Sequence, residues 1–451
     1  MGSSAMVWFP QERKTRRGTV FASFWSPVFD VAPLLREAVA VDDDEQEDTE
    51  TLMEELDEPP PDDSWLDEPL PPPPAPKRLR MDEIIASGAR PVPYAHVKRR
   101  EKRKKEKEQP GRQRPRPATL REHIHAERAV PTVLDAAELP AANGAYAAKV
   151  EPSIRGRKKR RTLPELIGLG TSIPIVDIHG RIITVLVGQP SDPTYAQAAT
   201  RAFELMEKER VIAHFKSAMA NHRRGAFVAL NVGLSYCKGQ TVPCRLNNGE
   251  HAALLARLLA DEDITRLATF ASASFALWAP KLHAYYDDYD RRLRQRLPHL
   301  TRNWERSVFS QAAFNFGPNV WTFLHRDILN VAFGMCAVQA LGDFDPKKGG
   351  HIILWELKLV IEFPPGALIL LPSATITHSN LPVGPDEHRA SFTQYTGGGL
   401  FRYVDNGFHT VKELAQEDPE EYARVCEQKA GRWEMGLGLL STVDELLDSV
   451  A

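Results

Sequence analysis

Cysteine is scarce in this chain. Cys237, Cys244, Cys336 and Cys426 are the only four among 451 residues. None forms a Cys-x-x-Cys pair, which argues against a zinc ribbon or a disulfide scaffold and fits a reducing compartment, cytosol or nucleus. Long apolar runs are missing as well. No stretch reaches the roughly 18–20 residues that a membrane-spanning helix needs, so no membrane partner is expected. The opening MGSSAMVWFPQERKTRRG lacks the charged-then-apolar pattern of a secretory signal, so export is not expected. Net charge is nearly absent too: 57 Lys+Arg against 60 Asp+Glu leave -3.

That near-zero balance hides an uneven distribution. Residues 1–161 hold 29 basic and 28 acidic side chains, and 20 of the 35 prolines. An acidic block at 42–68 carries 15 Asp and Glu with no Lys or Arg, and four prolines follow at 71–74. Such a segment repels itself and cannot sustain helix or sheet, so 1–161 is predicted to be a disordered arm. Trp65, Leu66 and Leu70 among the acids resemble an acidic binding tail of unknown partner, although a solvated linker is the favoured reading. Basic clusters lie at 76–80 (PKRLR), 98–107 (KRREKRKKEK) and 155–161 (RGRKKRR). Such clusters suit import receptors and also bind polyphosphate without sequence preference, so a nuclear location is expected.

The remaining 290 or so residues are enough for one large core. Residues 162–190 read as a short strand pair around an Asp177–Gly180 turn. From Thr194 to about Asn221, Ala198, Phe203, Met206, Ile212 and Phe215 fall on one helical face. The run AFVALNVGLSY follows, and a long helical region then extends from about Asn248 with a break at Pro280. From about Ser307 the texture changes to β-rich runs: VWTFLHRDI, HIILWEL, LKLVIEF, ALILLP, RASFTQYT and GLFRYV. Turn residues separate them, among them Gly342–Pro346 and Pro364-Pro365-Gly366. The expected fold is α+β, with a jelly-roll (double-stranded β-helix) core at 307–407 and a helical flank at 194–300. These make one domain at 162–410, and a helical tail follows at 411–451.

Three short motifs fall in order within the strand-rich half: His325-Arg-Asp327, His378, and Arg389-Ala-Ser391. Two imidazoles and a carboxylate can occupy one face of an octahedral ion and leave three positions open, the facial triad of non-haem Fe(II) oxygenases. His and Asp two apart on a strand point to the same side. Alone, His-x-acid is a weak signal; His125-Ala-Glu127 repeats it in the arm and is attributed to chance. Adding a distant histidine at a strand end and then Arg-x-Ser strengthens it. An inward arginine can pair with a dicarboxylate through two N–H groups, with Ser391 donating to the same group, which points to 2-oxoglutarate. The plainer alternatives are a core histidine for His325 and a surface ion pair for Arg389.

These motifs, with FLHRDILN (323–330), ALGDFDPKKGGHIILWELKLVIEFPPGALILLPSATITHSN (340–380) and HRASFTQYTGGGLFRYV (388–404), resemble the TET/JBP family of Fe(II)- and 2-oxoglutarate-dependent nucleic-acid oxygenases. The likeness is strongest to the expanded basidiomycete, transposon-associated group. It spans roughly 200 residues and omits the arm. It implies His325, Asp327 and His378 as ligands of Fe(II), and Arg389 with Ser391 as the clamp of 2-oxoglutarate. O2 is the co-substrate and ascorbate a candidate stimulant. It further implies Asn330 as a contact to the target base and Tyr395 as a ring stacked on it once flipped out. A turn residue and a core aromatic are the plainer readings of those two. Gly397 stands where animal members have a base-contacting histidine. The implied activity is oxidation of 5-methylcytosine in DNA. Acting on RNA, N6-methyladenine or a protein side chain is the alternative, as is an inactive DNA-binding factor. Arg223-Arg224 and the group Arg291, Arg292, Arg294 and Arg296 are local basic clusters, readable either as DNA contacts or as a solvated helix face.

Overall fold

The computed structural model describes residues 115–139, 172–190, 192–220, 222, 224–236 and 239–448, and the backbone of short strands at 11–14, 20–23 and 165–167. The acidic block, the three basic clusters, Arg223 and Cys237 lie outside the described residues.

The class is α+β, as expected. Two sheets carry the fold. The larger comprises β3 (Val130–Pro131), β5 (Ile173–Val176), β6 (Ile182–Gly188), β7 (Val228–Ser235), β8 (Cys244–Arg245), β9 (Gln311–Phe316), β10 (Cys336–Asp343), β13 (Leu368–Leu371) and β15 (His388–Tyr395). Its spatial order is β3-β5-β6-β13-β10-β15-β9-β7-β8. The smaller comprises β1 (Gln11–Lys14), β2 (Val20–Ser23), β4 (Glu165–Ile167), β11 (Ile352–Leu354), β12 (Leu359–Ile361) and β14 (His378–Asn380). It is ordered β1-β2-β4-β12-β11-β14. From β10 onward the chain visits the large sheet, then the small, the large, the small and the large again. This alternation is the winding of a double-stranded β-helix.

Register fixes which side chains face the interior, because neighbours two apart on a strand share a face. On β15 the inward column is Arg389, Ser391, Thr393 and Tyr395. Across the sheet Ser391 pairs with Ala340 of β10 and Asn315 of β9, and Arg389 pairs with Gly342. In the small sheet His378 pairs with Leu354, and Asn380 with Ile352. Buried Leu354, Ile361, Ile369, Ala340 and Phe344 form apolar walls around this polar column.

Helices pack outside the large sheet. They are α1 (Pro117–His123), α2 (Pro193–Ala213), α3 (Ala252–Ala260), α4 (Glu262–Trp278), α5 (Pro280–Arg296), α6 (Gly398–Asp405), α7 (Val411–Glu417), α8 (Pro419–Gly438) and α9 (Val443–Asp448). Asp192 caps α2 by accepting from Thr194 N, with Pro193 at the first helical position. Thr410 and Glu413 form a reciprocal capping box on α7. None of the described helices is long and apolar enough to cross a membrane.

Several expectations need correction. The 248–297 region breaks at Asp261 as well as at Pro280, because Asp261 ends α3 and its carboxylate caps Asp263 and Ile264 of α4. Ile212 is 54% exposed; buried Glu209, paired with Arg257, takes the inner side of that turn. GLFRYV is helix α6, not a strand: buried Leu400, Phe401, Tyr403 and Val404 follow a helical spacing. The run VWTFLHRDI is mostly irregular, held by single bridges. Strand β10 went unread because it is built from small residues, and Gly342, read as a turn, lies within it. Residues 115–139, assigned to the arm, carry α1 and β3 and bury Leu120, Ile124, Ala136 and Leu139 against the core.

Candidate metal and co-substrate centre

One cluster of metal-type ligands occurs among the described residues: His325, Asp327 and His378, each offering an atom within 4.8 Å of the others. His325 exchanges backbone hydrogen bonds with His378, at 3.1 and 3.0 Å, which locks the two segments side by side. The Asp327 N–H donates to Ser373 O at 2.9 Å and sets the third ligand.

The imidazoles are oriented by the chain itself. His325 Nδ1 donates to Phe323 O at 2.8 Å, and His378 Nδ1 to Ile376 O at 2.9 Å. A carbonyl can only accept, so Nδ1 carries the proton in both rings and Nε2 is left with its lone pair. This tautomer is the one a metal needs, and the second-shell carbonyl fixes it. Burial, then His378, hold the His325 pKa down to about 3, against the pull of Asp327, so the ring is neutral. Asp327 Oδ2 lies 3.9 Å from His378 Nε2, and Oδ1 lies 3.8 Å from Arg224 Nη1. Two imidazole nitrogens and one carboxylate oxygen suit a divalent first-row ion.

Arg389 is fully buried. Its Nη1 donates to Val320 O at 2.6 Å, while Nε and Nη2 have no partner. Burial lowers its pKa to about 10, which still leaves it charged at neutral pH. An uncompensated buried cation is costly, and two open N–H groups in a fork match a carboxylate. Ser391 lies next on the same face and accepts from Asn315 Nδ2 at 2.9 Å, which frees its own proton to donate inward. The residues present therefore fit an anionic co-substrate with a carboxylate at this end.

Asn330 adjoins the candidate ligands, and Tyr395 lies further along β15. Asn330 donates from Nδ2 to Ser373 Oγ at 3.0 Å and from its backbone N–H to Asp327 O. It also bridges Gly397. Tyr395 is half-buried and donates to Asn231 Oδ1 at 3.2 Å. The Gly397 N–H donates to Gln311 Oε1 at 2.9 Å. The three ligands thus cluster, Asn330 joins them through Ser373 and Asp327, and Arg389 and Ser391 share a face of β15 with Tyr395. Asn315, Asn380 and Thr322 carry no signal in the sequence beyond their spacing from the ligands, and Arg224, expected only as part of a basic cluster, instead faces Asp327. Three of the four arginines of the α5 group are ion-paired: Arg291 and Arg292 share Asp288, and Arg294 pairs with Asp290. His125 lies on an exposed loop, its ring bonded to Glu122 O, away from any other metal-type ligand pair.

No family model matches the chain, and no curated protein matches it. Among solved structures, NgTET1 in complex with 5mC DNA is similar at 12% identity and TM-score 0.37, over 51% of this chain and 78% of that one. A 2OG-Fe(II) oxygenase family oxidoreductase from Burkholderia pseudomallei is similar at 18% identity and TM-score 0.26, over 47% and 85%. AviO1 from Streptomyces viridochromogenes is similar at 14% identity and TM-score 0.26, over 48% and 90%.

Proposed function

We propose that this chain is an Fe(II)- and 2-oxoglutarate-dependent dioxygenase that oxidises a methyl group on a nucleic-acid base, with 5-methylcytosine in DNA the first candidate. The carrying observation is the pairing of two groups in one interior. A His-Asp-His triad presents its Nε2 atoms, and a buried guanidinium keeps two open N–H groups. Iron held by the triad would supply O2 activation coupled to oxidative decarboxylation of 2-oxoglutarate to succinate and CO2, and with it hydroxylation of a C–H bond. The chain's own residues do the positioning. His325, Asp327 and His378 hold the metal on one face. Arg389 and Ser391 bind the far carboxylate, and the apolar walls exclude water.

The methyl group of a stacked base cannot reach an interior site, so the base must be flipped out. Tyr395, on the inner face beside Asn231, is the proposed stacking partner, and Asn330 the proposed base contact. Affinity for the duplex is assigned to the basic clusters of the arm, since α5 is charge-paired; the same clusters support a nuclear location.

The test uses the full chain, because residues 115–139 belong to the fold. Protein loaded with Fe(II) is given 2-oxoglutarate, O2 and methylated duplex DNA, and nucleosides are read by mass spectrometry. Oxidised cytosine is the expected product, and His325→Ala should abolish it. Succinate without a base product would redirect the substrate to RNA, N6-methyladenine or protein. No succinate from iron-loaded protein would overturn the enzyme reading.

A further inference from the structure

We infer that Asn380 is a third anchor of the co-substrate, its side-chain amide donating to the same carboxylate that Arg389 and Ser391 hold; this rests on the function proposed above. Asn380 follows the ligand His378 by two residues on β14 and shares its inward face. The residue is 7% exposed, and its Nδ2 is buried without a hydrogen-bond partner. A buried open donor costs free energy, so it needs either a ligand or a reason.

The amide is held in place. Thr322 Oγ1 accepts from the Asn380 backbone N–H at 3.0 Å. Its own proton is therefore available to donate to Asn380 Oδ1, at 3.2 Å. In that arrangement Oδ1 faces Thr322 and Nδ2 points away from it. The same extended segment holds Arg389. Val320, two residues before Thr322 and on the same side, accepts from Arg389 Nη1, and Arg389 exchanges backbone hydrogen bonds with Pro318 and Val320. Asn380 and Arg389 thus reach the interior from the two edges of one short strap.

The chemistry closes on a carboxylate. Two carboxylate oxygens offer about four lone-pair sites. Arg389 Nε and Nη2 fill two, the Ser391 hydroxyl a third, and Asn380 Nδ2 the fourth. A neutral fourth donor adds no further buried charge beside the guanidinium. The proposed role is selection of a dicarboxylate over a 2-oxo acid that has no second carboxylate.

The experiment measures binding rather than turnover. The full chain is loaded with Mn(II) in place of iron and titrated calorimetrically with 2-oxoglutarate, and separately with pyruvate, which lacks the distal carboxylate. Asn380→Leu should weaken 2-oxoglutarate by about ten- to a hundredfold, the range for a lost hydrogen bond to a charged group. Affinities for pyruvate and Mn(II) should not move. Asn380→Asp keeps the size and the Thr322 bond but sets a like charge against the carboxylate; it should weaken 2-oxoglutarate more, and it serves if the leucine variant fails to fold. Unchanged 2-oxoglutarate affinity in a folded variant would overturn the inference, as would equal losses for 2-oxoglutarate and pyruvate. If Arg389→Ala loses 2-oxoglutarate while the Asn380 variants keep it, only this inference falls. If the wild type binds no 2-oxoglutarate, the proposed function falls with it.

Discussion

Arg389 shows most directly how a single residue trades stability for binding. Its charge is fully buried and only one of its N–H groups is matched by the chain, to Val320 O. The empty protein therefore carries an uncompensated cation. Arg389→Met fills similar volume without charge. We expect it to stabilise the ligand-free protein by about 1–3 kcal/mol in denaturant titrations. We also expect it to remove the thermal stabilisation that saturating 2-oxoglutarate gives the metal-loaded wild type. Arg389→Lys should not restore that response, because a single ammonium cannot reproduce the fork. Glu362 is a second buried charge. Burial first, with a smaller push from Asp345 and an opposing pull from Lys347, raises its pKa to about 7. An acid whose folded pKa lies above the unfolded value of 4.5 costs stability as pH rises from about 4.5 to 7, and the cost stays constant above that. Glu362→Gln should thus add about 1–3 kcal/mol at pH 8 and almost nothing at pH 4, read by chemical denaturation at the two values.

At the scale of elements, the tail is tied to the loop that carries two of the candidate ligands. Gly436 of α8 lies against the ring of Phe333, and a Cβ added there would collide with that ring. Phe333 follows Asn330 by three residues, so pressure from α8 reaches the site's rim. Gly436→Leu should cost about 1–3 kcal/mol by overpacking. Combining it with Phe333→Ala should recover part of that loss in a double-mutant cycle of melting measurements. These packed elements also show what could be read from the chain alone. The β5–β6 pair, α2 and β15 were legible because apolar period and turn chemistry agree there. The iron-type triad and Arg-x-Ser were legible because ligand chemistry restricts residue type. Strand β10 was not, since Ala340 and Gly342, which face Ser391 and Arg389, are small and lack β-branched bulk. Helix α6 was misread because a short apolar run fits either period until burial decides. Asn315 and Asn380 are ordinary in sequence; only register turns them inward.

Across the whole molecule, charge and fold occupy different parts. On α5, Arg291 and Arg292 share Asp288 and Arg294 pairs with Asp290, so most of that helix's arginines are held in local ion pairs. Deleting residues 76–114, which removes two basic clusters and leaves β1, β2, α1 and β3 in place, should lower affinity for unmethylated duplex DNA. It should also flatten the dependence of log K on log salt, both read by fluorescence anisotropy. Succinate formation with a short single-stranded methylated oligonucleotide should be retained.

The strap at 318–325 has a consequence in time. It bonds to β15 at Arg389 and to β14 at His378, partners that follow it in the chain by about 50–70 residues. The three ligands therefore meet only after β10 to β15 have wound into place, and no short piece of chain can gather them early. Two of them are already aimed by the carbonyls of Phe323 and Ile376 before any ion arrives. We therefore expect a metal bound to this triad to be removed by a chelator and restored without unfolding the protein, unlike a zinc finger, whose fold waits for its ion.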